Sequence, residues 1–177
     1  VRLLVDGLNF AVYLQGKDTT KALSAHENVE IKYYNPVSLF DPGSINLRMH
    51  DKYIIVDKAA YMVGGRNSND LFLGDYQDDM NTDMELIIYE TEYDEESSIN
   101  QVYSYFTSIW DSDYCSEFEY DGSSSKVAEA GDNLDSVYMS MQSIYQDTRE
   151  DMDIMSQSVP TDKVTFLTGQ TEPVNKQ

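Results

Sequence analysis

The chain has 177 residues, 41% of them hydrophobic, which is enough to build one packed domain or two small ones. Its 32 acidic and 12 basic residues give a formal net charge of −20. A protein that holds DNA normally presents a basic face, so this balance disfavours nucleic-acid binding.

Short apolar runs bounded by turn-forming residues predict the elements of the first half of the chain. A short helix is predicted over residues 19–25, a turn at Asp57-Lys58 and an acidic loop around residues 74–81. The run over residues 53–56 is apolar throughout and predicts a buried strand, and the run after the turn predicts its hairpin partner. The predicted strands cover residues 1–5, 29–34, 53–56, 59–63 and 84–89.

Helical periodicity dominates the second half of the chain. The acidic residues 94–96 before Ser97 predict a helix start, because anionic side chains are favoured near the positive end of a helix dipole. A polar break at residues 122–125 separates two apolar stripes, and Pro160 is expected to end the second helix. The first stripe predicts core packing and consists of Ile99, Val102, Tyr103, Phe106, Ile109 and Trp110. The second predicts a long amphipathic helix and consists of Leu134, Val137, Tyr138, Met141, Tyr145, Met152 and Met155.

Several reactive side chains are not expected to form a site. Cys115 is the only cysteine, which excludes an intrachain disulfide and a cysteine-rich metal site, and the carboxylates around it oppose thiolate formation. His26 is expected on the surface, and two histidines are too few for a histidine-rich zinc site. Calcium binding is also disfavoured, because the candidate ligands lack the glycine and terminal glutamate of an EF-hand. Those ligands are Asp75, Asp78, Asp79 and Asp83.

One segment, from His50 to Asn67, carries most of the usable chemistry. It fits the pattern H-x-K-x4-D-x6-G-G-x-N at every specified position. A histidine can attack phosphorus or protonate a leaving oxygen, and Lys52 can hold a phosphate oxygen as a point charge. The glycines at 64 and 65 allow close backbone approach, and Asn67 can donate an N–H to another phosphate oxygen. A purely structural hairpin leaves the glycine pair and Asn67 unexplained.

This pattern resembles the HKD signature of the phospholipase D superfamily. Residues 1–7, V-R-L-L-V-D-G, resemble the strand upstream of the motif in cardiolipin synthase-like members, and residues 81–88 resemble the acidic residue and strand that follow it. The resemblance implies an α/β fold, specifically an α/β/α sandwich of phospholipase D type. It also implies a division into a first HKD half-domain over residues 1–96, an acidic helical connector packing on it over residues 97–162, and the start of a truncated second half over residues 163–177. A strand at residues 164–167 would open that second half.

Superfamily members join two such motifs into one active site, supplied by two halves of a chain or by two identical subunits. The resemblance implies a phosphohistidine intermediate formed by one histidine, while the other protonates the leaving alcohol, with no metal or cofactor required. Lysines and asparagines stabilise the transition-state charge. These roles fall on His50 as nucleophile or general acid and on Lys52 and Asn67 as phosphate ligands.

Three further residues of the motif region have less settled roles. Gly65 takes the phosphate-binding position that a serine often holds in the family. Asp83 is the residue expected to orient the catalytic histidine, and Glu85, two positions along the same strand face, is the alternative. Asp57 is the aspartate of the motif, and either a catalytic role or a simple turn explains it.

The predicted function is phosphodiester cleavage or phosphatidyl transfer on phospholipids, by a hydrolase or transferase of phospholipid metabolism. The alternatives are a nuclease of the same superfamily and a non-catalytic HKD interaction module. We expect an internal fragment of a longer protein, with the second HKD half supplied by the missing C-terminal part or by a homodimer partner. No signal peptide or apolar run of about 20 residues is visible, so the fragment itself is expected to be soluble. The parent protein is expected to associate with a membrane surface through basic residues near the motif, namely Arg48, Lys52, Lys58 and Arg66.

Overall fold

A computed structural model describes residues 1–38, 40, 42–68, 83–92, 94–151 and 155–168. The predicted acidic loop at 74–81, with the candidate calcium ligands Asp75, Asp78 and Asp79, lies outside these residues. The described chain divides into two compact units. The first is built from Val1–Arg48 and Asp113–Asp162, and the second from Met49–Ser112 and the segment that begins at Lys163.

Six strands and four main helices make up the described chain, which confirms a mixed α/β fold. The strands are β1 (Arg2–Asp6), β2 (Glu30–Tyr34), β3 (Tyr53–Val56), β4 (Ala60–Gly64), β5 (Glu85–Tyr89) and β6 (Cys115–Phe118). The helices are α1 (Gly7–Asn9, continued by a π-helical turn over Phe10–Leu14), α2 (Asp18–Ser24), α3 (Ser98–Trp110) and α4 (Ser125–Asp151). Two 3-10 turns cover Pro42–Asn46 and Met155–Gln157. Within the described residues, every helix is too short or too polar to cross a bilayer.

The first unit contains a three-stranded sheet in the order β1-β2-β6, with β1 and β2 parallel and β6 antiparallel to β2. The chain turns directly from β1 into α1 because the Asp6 carboxylate accepts the backbone N–H groups of Leu8 and Asn9, at 3.1 and 3.2 Å. Gly7 is required there, since a Cβ would lie 2.6 Å from the carbonyl oxygen of Tyr34.

Aromatic packing forms the core of the first unit. Phe10, in the π-helical turn, is 1% exposed. Its ring stacks on Tyr33 with centroids 4.7 Å apart and meets the edge of Phe118 at 5.0 Å. Such pairs add about 0.5–1.5 kcal/mol to the burial of apolar area. Phe10 therefore ties α1 to β2 and β6, two elements of which the sequence predicted only β2.

The second unit is an antiparallel meander, β3-β4-β5, with α3 against one face. Tyr61 from β4 and Ile99 and Val102 from α3 form the buried centre. The partly buried side chains around it are Tyr53, Ile55, Val63, Ile88 and Phe166. The predicted core stripe of α3 is confirmed, because Ile99, Val102, Ile109 and Trp110 are all buried.

The predicted burial of the strand at 53–56 is wrong. Ile54 and Val56 are 56% and 51% exposed, as are Ile87 and Tyr89 of β5 at 59% and 54%. An antiparallel sheet can be covered on one face only, and α3 covers the face that carries Tyr53 and Ile55. A run that is apolar at every position cannot reveal which of its two faces is covered.

The second apolar stripe, on α4, is also largely exposed, although its amphipathic pattern suggests a buried face. Val137, Tyr138, Met141 and Tyr145 of α4 are 55–63% exposed. α4 packs on α2, and the buried residues Val127 and Ala130 lie in its first turns. Leu134 of the stripe is partly buried, and Met152 lies outside the described residues. Pro160 does not end the helix, because α4 spans Ser125–Asp151 and a 3-10 turn at Met155–Gln157 precedes the proline.

The strand expected at residues 164–167 is not present. These residues belong to no strand in the described part of the chain, and Phe166 packs edge-on against Tyr61 with ring centroids 6.2 Å apart. The backbone N–H of Phe166 is donated to the Gln101 side-chain oxygen at 2.8 Å, so a side chain takes the place of a strand partner. The predicted division of the chain at residues 96 and 162 stays a prediction. It describes the two halves expected from the family resemblance, whereas the two compact units are defined by packing.

The two valines of equal size on α3 and α4 give a matched test of this packing. Val102 is 0% exposed and Val137 is 55% exposed. We expect Val102→Ala to lower the free energy of unfolding by about 2 kcal/mol, through lost burial and a residual cavity. Val137→Ala should change it by less than about 0.5 kcal/mol. Chemical denaturation followed by circular dichroism measures both, and equal costs at the two sites would contradict the assigned core.

Candidate active site

The β3–β4 hairpin positions the residues of the motif. Asp57 and Lys58 both have positive φ, 49° and 53°, which is the backbone of a type I′ turn. The turn closes through the Ala59 N–H donating to the Val56 carbonyl at 2.9 Å, and the register then pairs Tyr53 with Val63. The residues before β3 and after β4 therefore meet at the end of the hairpin opposite the turn.

Asp57 is not brought together with the other motif residues. It is exposed on the turn, and the length of β3 separates it from Lys52 by roughly 16 Å. Its positive φ is tolerated best by Asp, Asn and Gly, which accounts for an aspartate here without any catalytic role. This placement favours the turn interpretation of Asp57.

His50 and Lys52 lie next to each other at the open end of the hairpin. The Lys52 ammonium donates a hydrogen bond to the His50 carbonyl oxygen at 2.8 Å, and the His50 residue is exposed. The Gly64 N–H donates to the Lys52 carbonyl at 3.2 Å. This bond extends the hairpin ladder by one residue and links the histidine–lysine segment to the glycine pair.

The charge of Lys52 is set by opposing influences. Burial lowers the pKa of Lys52 below its usual value, because a charged ammonium loses hydration, and the nearby Asp51 and Asp83 carboxylates act in the opposite direction. Asp51 is in turn held by the Tyr105 hydroxyl, which donates to it at 2.6 Å. Asp83 lies against Gly65, the neighbour of the Gly64 whose N–H binds the Lys52 carbonyl, so the carboxylate and Lys52 belong to the same end of the hairpin.

Asp83 and Gly65 are in direct contact. The Asp83 carboxylate lies over the glycine, so a Cβ at position 65 would be 2.5 Å from Asp83 Oδ2 and 3.0 Å from Oδ1. Asp83 Oδ1 also accepts the N–H of Met84 at 2.8 Å. A serine at position 65 requires a different position for this carboxylate. The glycine is what makes room for Asp83.

Arg66 is a residue that sequence reasoning missed as part of this arrangement. Its Nε donates to Glu85 Oε1 at 2.6 Å and its Nη2 to Glu85 Oε2 at 3.2 Å, while Nη2 also donates to the Asp83 carbonyl at 2.9 Å. The hydrogen bond to Glu85 raises the pKa of Arg66. Because Glu85 is engaged by Arg66, the geometry favours Asp83 over Glu85 as the carboxylate available to a histidine. The sequence does not show that the end of β4 pairs with the start of β5, and this pairing is what brings Arg66 to Glu85.

All four basic residues expected to meet a lipid surface contact the chain itself, three of them through acidic or aromatic partners and Lys52 through the neutral His50 carbonyl oxygen. Arg48, in the first unit, pairs with Asp6 at 3.4 Å and donates to the Asn35 carbonyl at 2.9 Å. Lys58 lies 4.1 Å from the centre of the Tyr103 ring, a cation–π geometry. With Arg66 held by Glu85, Lys52 remains as the cation at the open end of the hairpin.

The end of the hairpin therefore carries an imidazole, an ammonium, a carboxylate and, just after β4, the half-buried amide of Asn67. An ammonium and an amide can hold phosphate oxygens, and an imidazole can attack phosphorus or move a proton. One chain supplies one motif histidine. Among the described residues, no three potential metal ligands gather into a cluster.

Comparison with known proteins gives a consistent family. A family model described as "Cardiolipin synthase, PLD-like domain" matches residues 1–110, more than half of the chain. Cardiolipin synthase C of Escherichia coli strain K12 is 30% identical over 96 residues, which cover 49% of this chain and 20% of that protein. Two uncharacterized proteins of Helicobacter pylori, from strains 26695 and J99, are each 31% identical over 78 residues, or 38% of this chain and 16% of theirs. The chain thus spans a fifth or less of these relatives. No solved structure matches it.

The contact between Gly65 and Asp83 gives a testable coupling. We expect Gly65→Ala to displace the Asp83 carboxylate and to lower the free energy of unfolding by about 1 kcal/mol, since the carboxylate then loses its bond to the Met84 N–H. In an Asp83→Ala background the same substitution should cost less than about 0.5 kcal/mol, because the obstacle is gone. Gly16→Ala is the control, as a Cβ there meets nothing within 4 Å. Chemical denaturation of the four variants measures the cycle, and additive costs would argue against the contact.

Proposed function

This chain belongs to the family of cardiolipin synthase, PLD-like domains, and from that premise we propose that it carries one half of an active site acting on phospholipids. The reaction is phosphodiester cleavage or phosphatidyl transfer. The observation that carries the proposal is that Lys52, bound to the His50 backbone carbonyl, lies at the same end of the β3–β4 hairpin as the glycine pair and the Asp83 carboxylate.

Each residue has a role in this proposal. His50 attacks phosphorus to form a phosphohistidine or protonates the leaving alcohol, and its exposed position makes it reachable by a large substrate. Lys52 and Asn67 hold phosphate oxygens, whereas Gly65 contributes by leaving room for the Asp83 carboxylate and not by binding the phosphate. Asp83 orients the imidazole, as the carboxylate does in a catalytic triad. Asp57 acts by closing the hairpin turn.

A second HKD half completes the site in this proposal. One chain has one H-x-K segment, whereas the proposed chemistry needs one histidine as nucleophile and another as acid. We propose that the other half comes from a further part of the parent protein or from a second copy of the chain. The finer architecture belongs to the same proposal, with a first half-domain over residues 1–96 in an α/β/α sandwich, a connector over 97–162 and the start of a second half over 163–177.

The charge of the chain bears on the substrate. With a net charge of −20 and most cations near the motif engaged by acidic or aromatic partners, a long polyanion such as DNA would be repelled over most of the surface. A single phosphodiester presented by a lipid needs only one local cation, and Lys52 supplies it. This favours a phospholipid over a nucleic acid as substrate, and a parent protein that meets the membrane at the motif.

Turnover of phosphatidylglycerol tests the proposal. We expect glycerol release by the completed site, either in a longer protein that contains the chain or in an assembly of two copies, with either phosphatidic acid or cardiolipin as the lipid product. His50→Ala should reduce the rate about a thousandfold or more, because it removes the attacking or proton-donating group. His26→Ala is the matched control, since His26 is the other histidine, is exposed, and bonds through Nδ1 to the Asn28 N–H.

The dependence on protein concentration separates the sources of the second half. Specific activity of the chain that rises with its concentration indicates a site completed by a second copy. Activity found only in a longer protein indicates a second half on the same polypeptide. Hydrolysis of DNA or a simple phosphodiester, lost in His50→Ala but without turnover of lipid, would overturn the phospholipid assignment. The absence of any turnover in either protein would favour a non-catalytic interaction module.

A further inference from the structure

We propose that Arg66 is a positioning residue for this half-site. It ties the segment leading into β5 to the glycine pair and so holds the Asp83 carboxylate beside Lys52. The inference rests on the proposed function for its catalytic consequence, while the structural coupling stands on the geometry of the hairpin and β5.

The geometry of Arg66 suits a clamp better than a surface ion pair. Its planar guanidinium makes two bonds to the Glu85 carboxylate and a third to the Asp83 carbonyl oxygen, at 2.6, 3.2 and 2.9 Å. The two side chains are only 29% and 20% exposed, so water screens the pair less than an exposed one. A lysine, with a single compact ammonium, cannot satisfy this fork and the carbonyl together.

The pairing of β4 with β5 does not extend as far as Asp83. The register of β4 with β5 ends where Gly64 pairs with Glu85, so Asp83 lies two residues beyond the last pair. The bond from Arg66 to the Asp83 carbonyl bridges that gap. Arg66 follows Gly65 directly, so the same short segment both makes room for the Asp83 side chain and anchors its backbone.

The held carboxylate acts on Lys52. Burial lowers the pKa of Lys52, and the charge of Asp83 opposes that effect and keeps the ammonium protonated to higher pH. If Asp83 moves away, the opposing charge is lost and the pKa of Lys52 falls further. The cation that holds phosphate then disappears at a lower pH, and the histidine loses its orienting carboxylate.

The direction of the Lys52 pKa change separates positioning from direct electrostatics. Removing the cation of Arg66 alone would raise the pKa of Lys52 by a direct effect, whereas release of Asp83 lowers it. Arg66→Lys keeps the positive charge but loses the two-bond contact with the Glu85 carboxylate. In the double variant Arg66→Met, Glu85→Met both charges go, so their direct effects largely cancel. Both variants therefore report mainly on the position of Asp83.

The experiment is an NMR titration of the Lys52 side chain in the chain, read from the carbon next to its ammonium and assigned with Lys52→Arg. Asp83→Asn gives the shift for a lost carboxylate charge. We expect both Arg66 variants to lower the pKa of Lys52 by more than half of that shift. The control is Arg2→Met, Glu30→Met, which removes a comparable pair 3.5 Å apart on β1 and β2 and should leave the Lys52 pKa unchanged. A Lys52 pKa unchanged in Arg66→Lys, in a chain whose circular dichroism is native, overturns the proposal.

Turnover of phosphatidylglycerol adds the catalytic readout. We expect Arg66→Lys to lower kcat about tenfold with a smaller change in KM, and to move the alkaline loss of activity to lower pH, since Lys52 then deprotonates earlier. A kcat lowered without this movement of the pH profile overturns positioning in favour of a purely structural ion pair. If the wild-type chain and a longer protein have no turnover, the proposed function fails, and the NMR titration still decides the role of Arg66 by itself.

Discussion

The left-handed turn at Asp57 and Lys58 sets the register of the β3–β4 hairpin, and the candidate site depends on that register. The two positive φ angles match the right-handed twist of the strands, and the three residues Asp57 to Ala59 connect the paired Val56 and Ala60. A slip by one residue would turn Tyr53 and Ile55 away from α3 and separate Lys52 from Gly64. Tyr103 lies beneath the turn and contacts Lys58, which ties the turn to α3. The aspartate of the HKD pattern thus contributes through the backbone of the turn, at the end of the hairpin opposite the candidate site.

Space and charge are arranged together at the other end of the hairpin. Gly65 leaves room for a carboxylate that a side chain would displace, and that carboxylate supports the charge of a partly buried lysine. Arg66 takes up the second carboxylate, Glu85, which would otherwise compete with Asp83. Among the described residues, Lys52 is thus the cation at this end of the hairpin that is bound to a neutral carbonyl oxygen, within a strongly acidic chain. This arrangement is compatible with a single phosphate and unfavourable for an extended polyanion.

Both compact units rely on aromatic packing, in different ways. In the first unit Phe10 is enclosed by Tyr33 and Phe118, and in the second Tyr53, Tyr105 and Phe166 surround the buried side chains of β4 and α3. Apolar area nevertheless remains open on the outer face of the meander, where Ile54 and Ile87 are more than half exposed, and along α4. An apolar run or a helical periodicity can be seen in the sequence whether or not another surface covers the apolar face in the folded chain.

The sequence by itself determined the hairpin, the strands β1, β2 and β5, the core stripe of α3 and the identity of the H-x-K and G-G-x-N residues. These features depend on local periodicity, turn preferences and fixed spacing, which are properties of neighbouring residues. Only the tertiary structure decided that Asp83 lies over Gly65, that Arg66 takes up Glu85 and that Asp57 stands apart. It also decided that Cys115–Phe118 forms a strand, because that segment is extended only by pairing with the edge of β2. Such contacts join residues that are distant in sequence. Strand register and the coverage of each sheet face determine which residues meet, and neither can be read from a local sequence pattern.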